Sequence, residues 1–119
     1  MWDTRGLCCA IVEISDKEAL NGTCFSTTDW HLKDGQERTF VDHWTALLKW
    51  SETQEGFESA RLVADEADPR HFLSVGEWRD PTAQQAVGAS PRFMQLFMPC
   101  LELCDDDVQN ARYEVKVAS

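Results

Sequence analysis

Residues 72–104 read FLSVGEWRDPTAQQAVGASPRFMQLFMPCLELC, and the order of signals along them decides the fold. Residues 70–78 alternate, with Phe72, Ser74, Gly76 and Trp78 on one face and Leu73, Val75 and Glu77 on the other, the pattern of a strand. Asp80-Pro81 then starts a helix, Asp as the cap and Pro at the first helical position. Gly88 weakens that helix, and Ser90-Pro91 repeats the same start signal. A largely apolar second segment is expected from Pro91 to Cys104, bent by Pro99.

Working outward, Asp105-Asp106-Asp107 reads as a solvated loop. A last strand is expected over Ala111–Val117, where Tyr113, Val115 and Val117 alternate. Upstream, Phe57–Asp65 reads as a strand joined to Arg70–Trp78 through Glu66-Ala67-Asp68-Pro69, a hairpin with a longer loop. Phe40, Trp44, Leu47, Leu48 and Ser51 fall at helical spacing and predict an amphipathic helix over 36–54, ending at Gly56. Thr23–Leu32 alternates as a strand, with Cys24, Ser26, Thr28, Trp30 and Leu32 on one face. The order β-α-β-β-α-β is an α+β, ferredoxin-like split βαβ sandwich. Helices cover one face of such a sheet, and the other face also needs cover. Residues 23–119 form this domain; residues 1–22 are an extension in which Leu7–Ile14 reads as an extra strand, with a disordered leader as the competing reading.

A chain of 119 residues suits one domain, and 43% hydrophobic against 27% charged residues is the balance of a globular protein. The formal charge of −10 repels phosphate backbones and anionic lipid surfaces, so no nucleic acid and no membrane are expected as partners. The apolar runs are too short to span a bilayer, and the N-terminus lacks the order of a signal peptide, which predicts a cytoplasmic protein. Five cysteines, an odd number at irregular spacing, argue for reduced thiols rather than a disulfide framework.

The strand ending in Glu77-Trp78, followed by the broken helix restarting at Ser90-Pro91, resembles the antibiotic biosynthesis monooxygenase family over about 23–117. That resemblance implies a dimeric α+β barrel, a homodimer joined through the sheet face. In anthrone-oxidising members the third strand carries an Asn and a Trp that bind the aromatic substrate. Trp78 matches that Trp, Ser74 stands at the Asn position, and Gln84 stands where a Tyr is expected. The haem-degrading branch needs an Asn, a Trp and a ligating His, where this chain has Thr28, Val87 and Phe97, and no histidine follows His71. Haem degradation is therefore disfavoured.

Small residues at Ser74 and Gly76 beside Phe72 and Trp78 leave room next to the sheet for a mostly apolar ligand; the competing reading has Trp78 only filling the core. His43, beside Trp44 on the first helix, is the candidate general base, against the reading of an exposed helix histidine with no role. His31 and His71 read as surface residues near strand ends. Met94 and Phe97 offer a pliable wall for a flat ring, or simply a core or dimer contact. Cys100 and Cys104, one helical turn apart, read as buried thiols rather than half a metal site.

No phosphate loop, nucleophile elbow, zinc motif or dinucleotide fingerprint is present, so no cofactor and no metal are expected. The leading expectation is a cofactor-independent monooxygenase, or an allied ring-modifying enzyme, acting on a polycyclic aromatic or quinone-like metabolite of natural-product biosynthesis. Trp78 would orient the rings, His43 would take the proton, and Ser74, Thr28, Trp30, Trp44, Phe72, Met94 and Phe97 would line the substrate site. A non-catalytic ligand-binding or accessory dimer, and a non-oxidative polyketide cyclase or isomerase, remain the alternatives.

Overall fold

The computed structural model describes residues 23–105 and 108–119. Strand β1 (Cys24–His31) is followed by helix α1 (Glu37–Ser51), the hairpin β2 (Phe57–Asp65) and β3 (Asp68–Trp78), helices α2 (Pro81–Gly88) and α3 (Pro91–Leu101), and β4 (Gln109–Glu114). The strands form one antiparallel sheet in the order β2-β3-β1-β4, as the split βαβ pattern requires. Among the described residues this sheet is not closed, with β2 and β4 as its edges. The strand expected at Leu7–Ile14 lies outside the described residues.

Both start signals in the deciding stretch work as read. The Asp80 carboxylate accepts from the Ala83 N–H at 2.8 Å, and the Ser90 hydroxyl accepts from the Arg92 N–H at 3.2 Å. Gly88 closes α2 rather than weakening its middle, and α3 stops at Leu101, three residues before the expected end. The chain beyond α3 turns back to β1, where the Lys33 N–H donates to the Leu103 carbonyl and the Asp105 N–H to the His31 carbonyl, both at 2.8 Å.

Three other boundaries differ from the expectation. α1 ends at Ser51, and two turns lead to Gly56, whose φ of +89° lies in the left-handed region that glycine adopts without strain. The hairpin turn is shorter than expected: Asp65 pairs with Asp68, so Asp68 and Pro69 belong to β3. Asp65 and Asp68 each bind a backbone N–H two residues on, Ala67 at 2.8 Å and Arg70 at 3.0 Å, which tightens the turn locally. β4 begins two residues early and ends at Glu114, because among the described residues it pairs with β1 alone and that pairing finishes at Cys24 opposite Glu114. Val117, expected within the strand, is 89% exposed.

The helices cover one face of the sheet, and two apolar clusters form beneath them. Trp30, Leu32, Phe40, Trp44, Phe72 and Cys100 pack at one end, with the Trp30 and Phe40 rings edge to face at 5.0 Å. Cys24, Trp78 and Val87 pack at the other end, joined by Phe57, whose ring meets Trp78 edge-on at 5.3 Å. Between them the sheet carries Ser26, Thr28, Ser74 and Gly76, side chains too small to reach the helices.

Candidate active site

That row of small residues leaves a cavity of about 600 Å³ between sheet and helices. Its walls are predominantly apolar: Trp44, Leu47 and Leu48 from α1, Val87 from α2, and Phe93, Met94 and Phe97 from α3. Trp30 and Trp78 stand at its two ends. The volume and lining suit a small, largely apolar ligand.

The floor is built from a repeat that sequence reading missed. Ser26-Thr-Thr-Asp-Trp30 in β1 and Ser74-Val-Gly-Glu-Trp78 in β3 share one pattern, serine, two residues, an acid and tryptophan. The strands are antiparallel neighbours, so each indole reaches diagonally to the serine of the other: Trp30 Nε1–H donates to Ser74 Oγ at 3.1 Å, and Trp78 Nε1–H donates to Ser26 Oγ at 3.0 Å. Each indole donor is thereby satisfied by protein. Each serine, having accepted one bond, keeps its own O–H as a donor. Trp78 thus presents its ring rather than its N–H to the cavity, and the hydroxyl hydrogens of the floor are those of the serines. Gly76 is needed here because a Cβ at that position would lie 3.1 Å from Trp78 Nε1 and 3.2 Å from Ser26 Oγ, crowding the bond between them.

The polar rim comes from β4 and α2. Asn110 and Arg112 lie opposite Thr28 and Ser26 and so share the helix-covered face. Thr28 Oγ1 donates to Asn110 Oδ1 at 2.8 Å, and Arg112 Nη1 donates to Gln84 Oε1 at 3.3 Å. Arg112 is the one charged side chain among the described lining residues. Its charge reaches inward: burial pushes the Cys24 thiol up, and Arg112 pulls it the other way.

Of the residues singled out in the sequence, the structure brings Trp78, Ser74, Thr28, Trp30, Trp44, Met94 and Phe97 to this cavity. It does not bring His43, whose side chain is on the exposed face of α1, because the apolar stripe runs through Phe40, Trp44 and Leu47. Nor does it bring Phe72, which is buried beside Phe40 with ring centroids 5.3 Å apart. Ser26, Gln84, Asn110 and Arg112 complete the lining. The serine–tryptophan repeat was the available signal for Ser26. Nothing in the sequence singled out Arg112; the pairing of β4 with β1 puts it opposite Ser26 on the helix-covered face.

A model of the antibiotic biosynthesis monooxygenase family matches residues 27–97, more than half of the chain. The chain belongs to that family. Among solved structures, a variant of SnoaB, a cofactor-independent oxygenase from Streptomyces nogalater, aligns with a TM-score of 0.76 at 13% identity over 82% of this chain and 96% of that one. A conserved protein from Methanosarcina mazei Go1 aligns with a TM-score of 0.73 at 16% identity over 77% of this chain and 91% of that one. At such identities the likeness carries the fold alone. No curated protein matches the chain. Among the described residues, no helix of this family member is long and apolar enough to cross a membrane.

Proposed function

We propose that this protein is a cofactor-independent monooxygenase that oxidises an acidic polycyclic aromatic, such as an anthrone, in cytoplasmic natural-product biosynthesis. The observation that carries the reading is a mostly apolar cavity in which a rim arginine is the one charged group among the described lining residues, in a chain of net charge −10. A flat ring system fits between the Trp30 and Trp78 ends, with its oxygen directed to Arg112, Asn110 and the serine hydroxyls. The cation favours the enolate over the neutral ketone, and the apolar walls exclude water from the reactive carbanion. The carbanion reduces dioxygen; its CH₂ becomes C=O with one oxygen atom, and the other oxygen leaves as water.

The described lining holds no imidazole and no carboxylate. Acidification by Arg112, with the proton passing to solvent, therefore replaces the general base expected from His43. The same absence counts against a cyclase or isomerase, which needs acid–base groups. It also favours the second reading, a ligand-binding accessory protein, over any acid–base enzyme.

Among the described residues, the sheet face away from the helices carries the exposed Val63 and Leu73, and we propose that a second copy packs on it, completing the dimeric barrel of the family. Light scattering of the purified chain checks this by mass.

Oxygen uptake with anthrone substrates and chelated metal, combined with product mass, tests the activity. The reading requires uptake above the buffer rate, one added oxygen atom, and a loss on the order of tenfold to a hundredfold in kcat/KM for Arg112→Gln. Tryptophan quenching by the same compounds without uptake would instead establish the binding protein. His43→Ala is expected to leave the rate unchanged.

A further inference from the structure

All three histidines lie outside the cavity lining, and two of them, His31 and His71, meet on the opposite face of the sheet. His31 in β1 and His71 in β3 are directly paired across the strands, and their rings stack with centroids 4.5 Å apart and planes within 4°. Asp29, two residues before His31 and so on the same face, places one carboxylate oxygen in hydrogen-bond contact with His71 Nε2 and 3.9 Å from His31 Nε2. On the far side of the His71 ring, Nδ1 meets Asp65 Oδ2 at 2.8 Å.

We propose that Asp29, His31 and His71 form a binding site for a divalent transition ion of the zinc class. One atom from each residue already lies within 4.8 Å of the other two. A tetrahedral zinc shell holds its ligand atoms roughly 3.3 Å apart, so closure asks for movements of about an ångström and a turn of the half-exposed His31 ring. Two imidazoles and one carboxylate are the donor set that prefers zinc, cobalt, nickel or copper to magnesium or calcium. Three protein ligands leave a fourth position for water.

Asp65 supplies what an incidental cluster lacks. Its carboxylate on Nδ1 fixes the His71 ring and leaves Nε2 to the Asp29 side, the carboxylate–histidine arrangement that orients ligating imidazoles and raises their basicity. A proton now joins His71 Nε2 to Asp29. A divalent ion replaces that proton, holds His31 as well, and matches the charge of the two carboxylates. Once bound, it ties β1 to β3 at one end of the sheet, on the face opposite the serine–tryptophan floor. This inference is independent of the oxygenase reading.

The test is titration calorimetry of the EDTA-dialysed full chain with zinc chloride at pH 7.5, paired with thermal melting. One zinc per chain is expected, with the melting temperature raised by roughly 5–10 °C at a hundredfold excess over Kd. His71→Gln and Asp29→Asn, both still folded by their own melting transitions, are expected to weaken binding at least about tenfold, as is Asp65→Asn through loss of ring orientation. His43→Ala is expected to bind as the parent does. Absence of binding, or binding that His71→Gln and Asp29→Asn leave intact, as capture by cysteine thiols would be, overturns the proposal.

Discussion

The two faces of this sheet are built from the same four strands, yet they hold opposite chemistry. Beneath the helices Trp30 and Trp78 flank a cavity with a single charged side chain among its described lining residues, and Phe72 is buried in the core beside it; on the other face lie Asp29, His31, His71 and Glu77 among exposed Val63 and Leu73. Strand alternation assigns each residue to its face, so a segment as short as Asp29-Trp30-His31 contributes a wall to one site and ligands to another. The contrast teaches that a reaction needing dry, weakly charged surroundings and a cluster of titratable groups can occupy one small sheet without meeting.

The largest test of that contrast is Trp30→Ala. Trp30 is 1% exposed and packs on Phe40 and Phe97, so its loss is expected to destabilise by about 3–5 kcal/mol in chemical denaturation. Leu73→Ala on the open face of the monomer should cost less than about 1 kcal/mol, since the side chain is already partly in water. Equal costs would break the distinction between the faces. Next comes Gly56→Ala, where the new Cβ would meet the Ala83 Cβ at 2.3 Å on top of a positive φ. A loss of about 2 kcal/mol or more, read by the same denaturation, would show how tightly α2 is held to the covered face.

Ser74→Ala strands the buried indole N–H of Trp30 and is expected to cost about 1–2 kcal/mol, with Ser26→Ala costing less because the Trp78–Ser26 bond is only part-buried. Urea midpoints that rank the two the other way would overturn the view that the repeat is a structural pair of pairs. The smallest effect is a pH dependence outside both sites. The Ala83 N–H, followed by the Arg79 guanidinium, holds the Asp80 carboxyl below its ordinary value. A depressed carboxyl contributes stability above its unfolded value, and that stability is lost as pH falls through the folded value. The gap in melting temperature between the parent and Asp80→Ala should therefore be full at pH 7 and close below about pH 4.

Where local chemistry decides structure, the sequence was readable. Asp80-Pro81 and Ser90-Pro91 place both helix starts, and the alternation through Phe72 and Trp78 places the inner face of β3. Pairing decides the rest. β4 ends where β1 stops offering partners, a fact that Tyr113, Val115 and Val117 do not encode, and the pairing that sets Arg112 opposite Ser26 is not encoded by that alternation either. The stacking of His31 on His71 likewise depends on a register between strands forty residues apart in the chain. Neither His43 nor Phe72 could be placed relative to the cavity until the exact angle of α1 and the depth of the sheet were fixed.

The crossed serine–tryptophan pairs make the cavity floor nearly its own rotated image, so for a flat occupant the floor alone does not distinguish head from tail. The edges do. Opposite Ser26 on one side stands Arg112, while opposite Ser74 on the other stands Leu62. A flat occupant would therefore take its orientation from the charged β4 edge, and replacing Arg112 is the direct way to ask whether it can be made to enter the other way round.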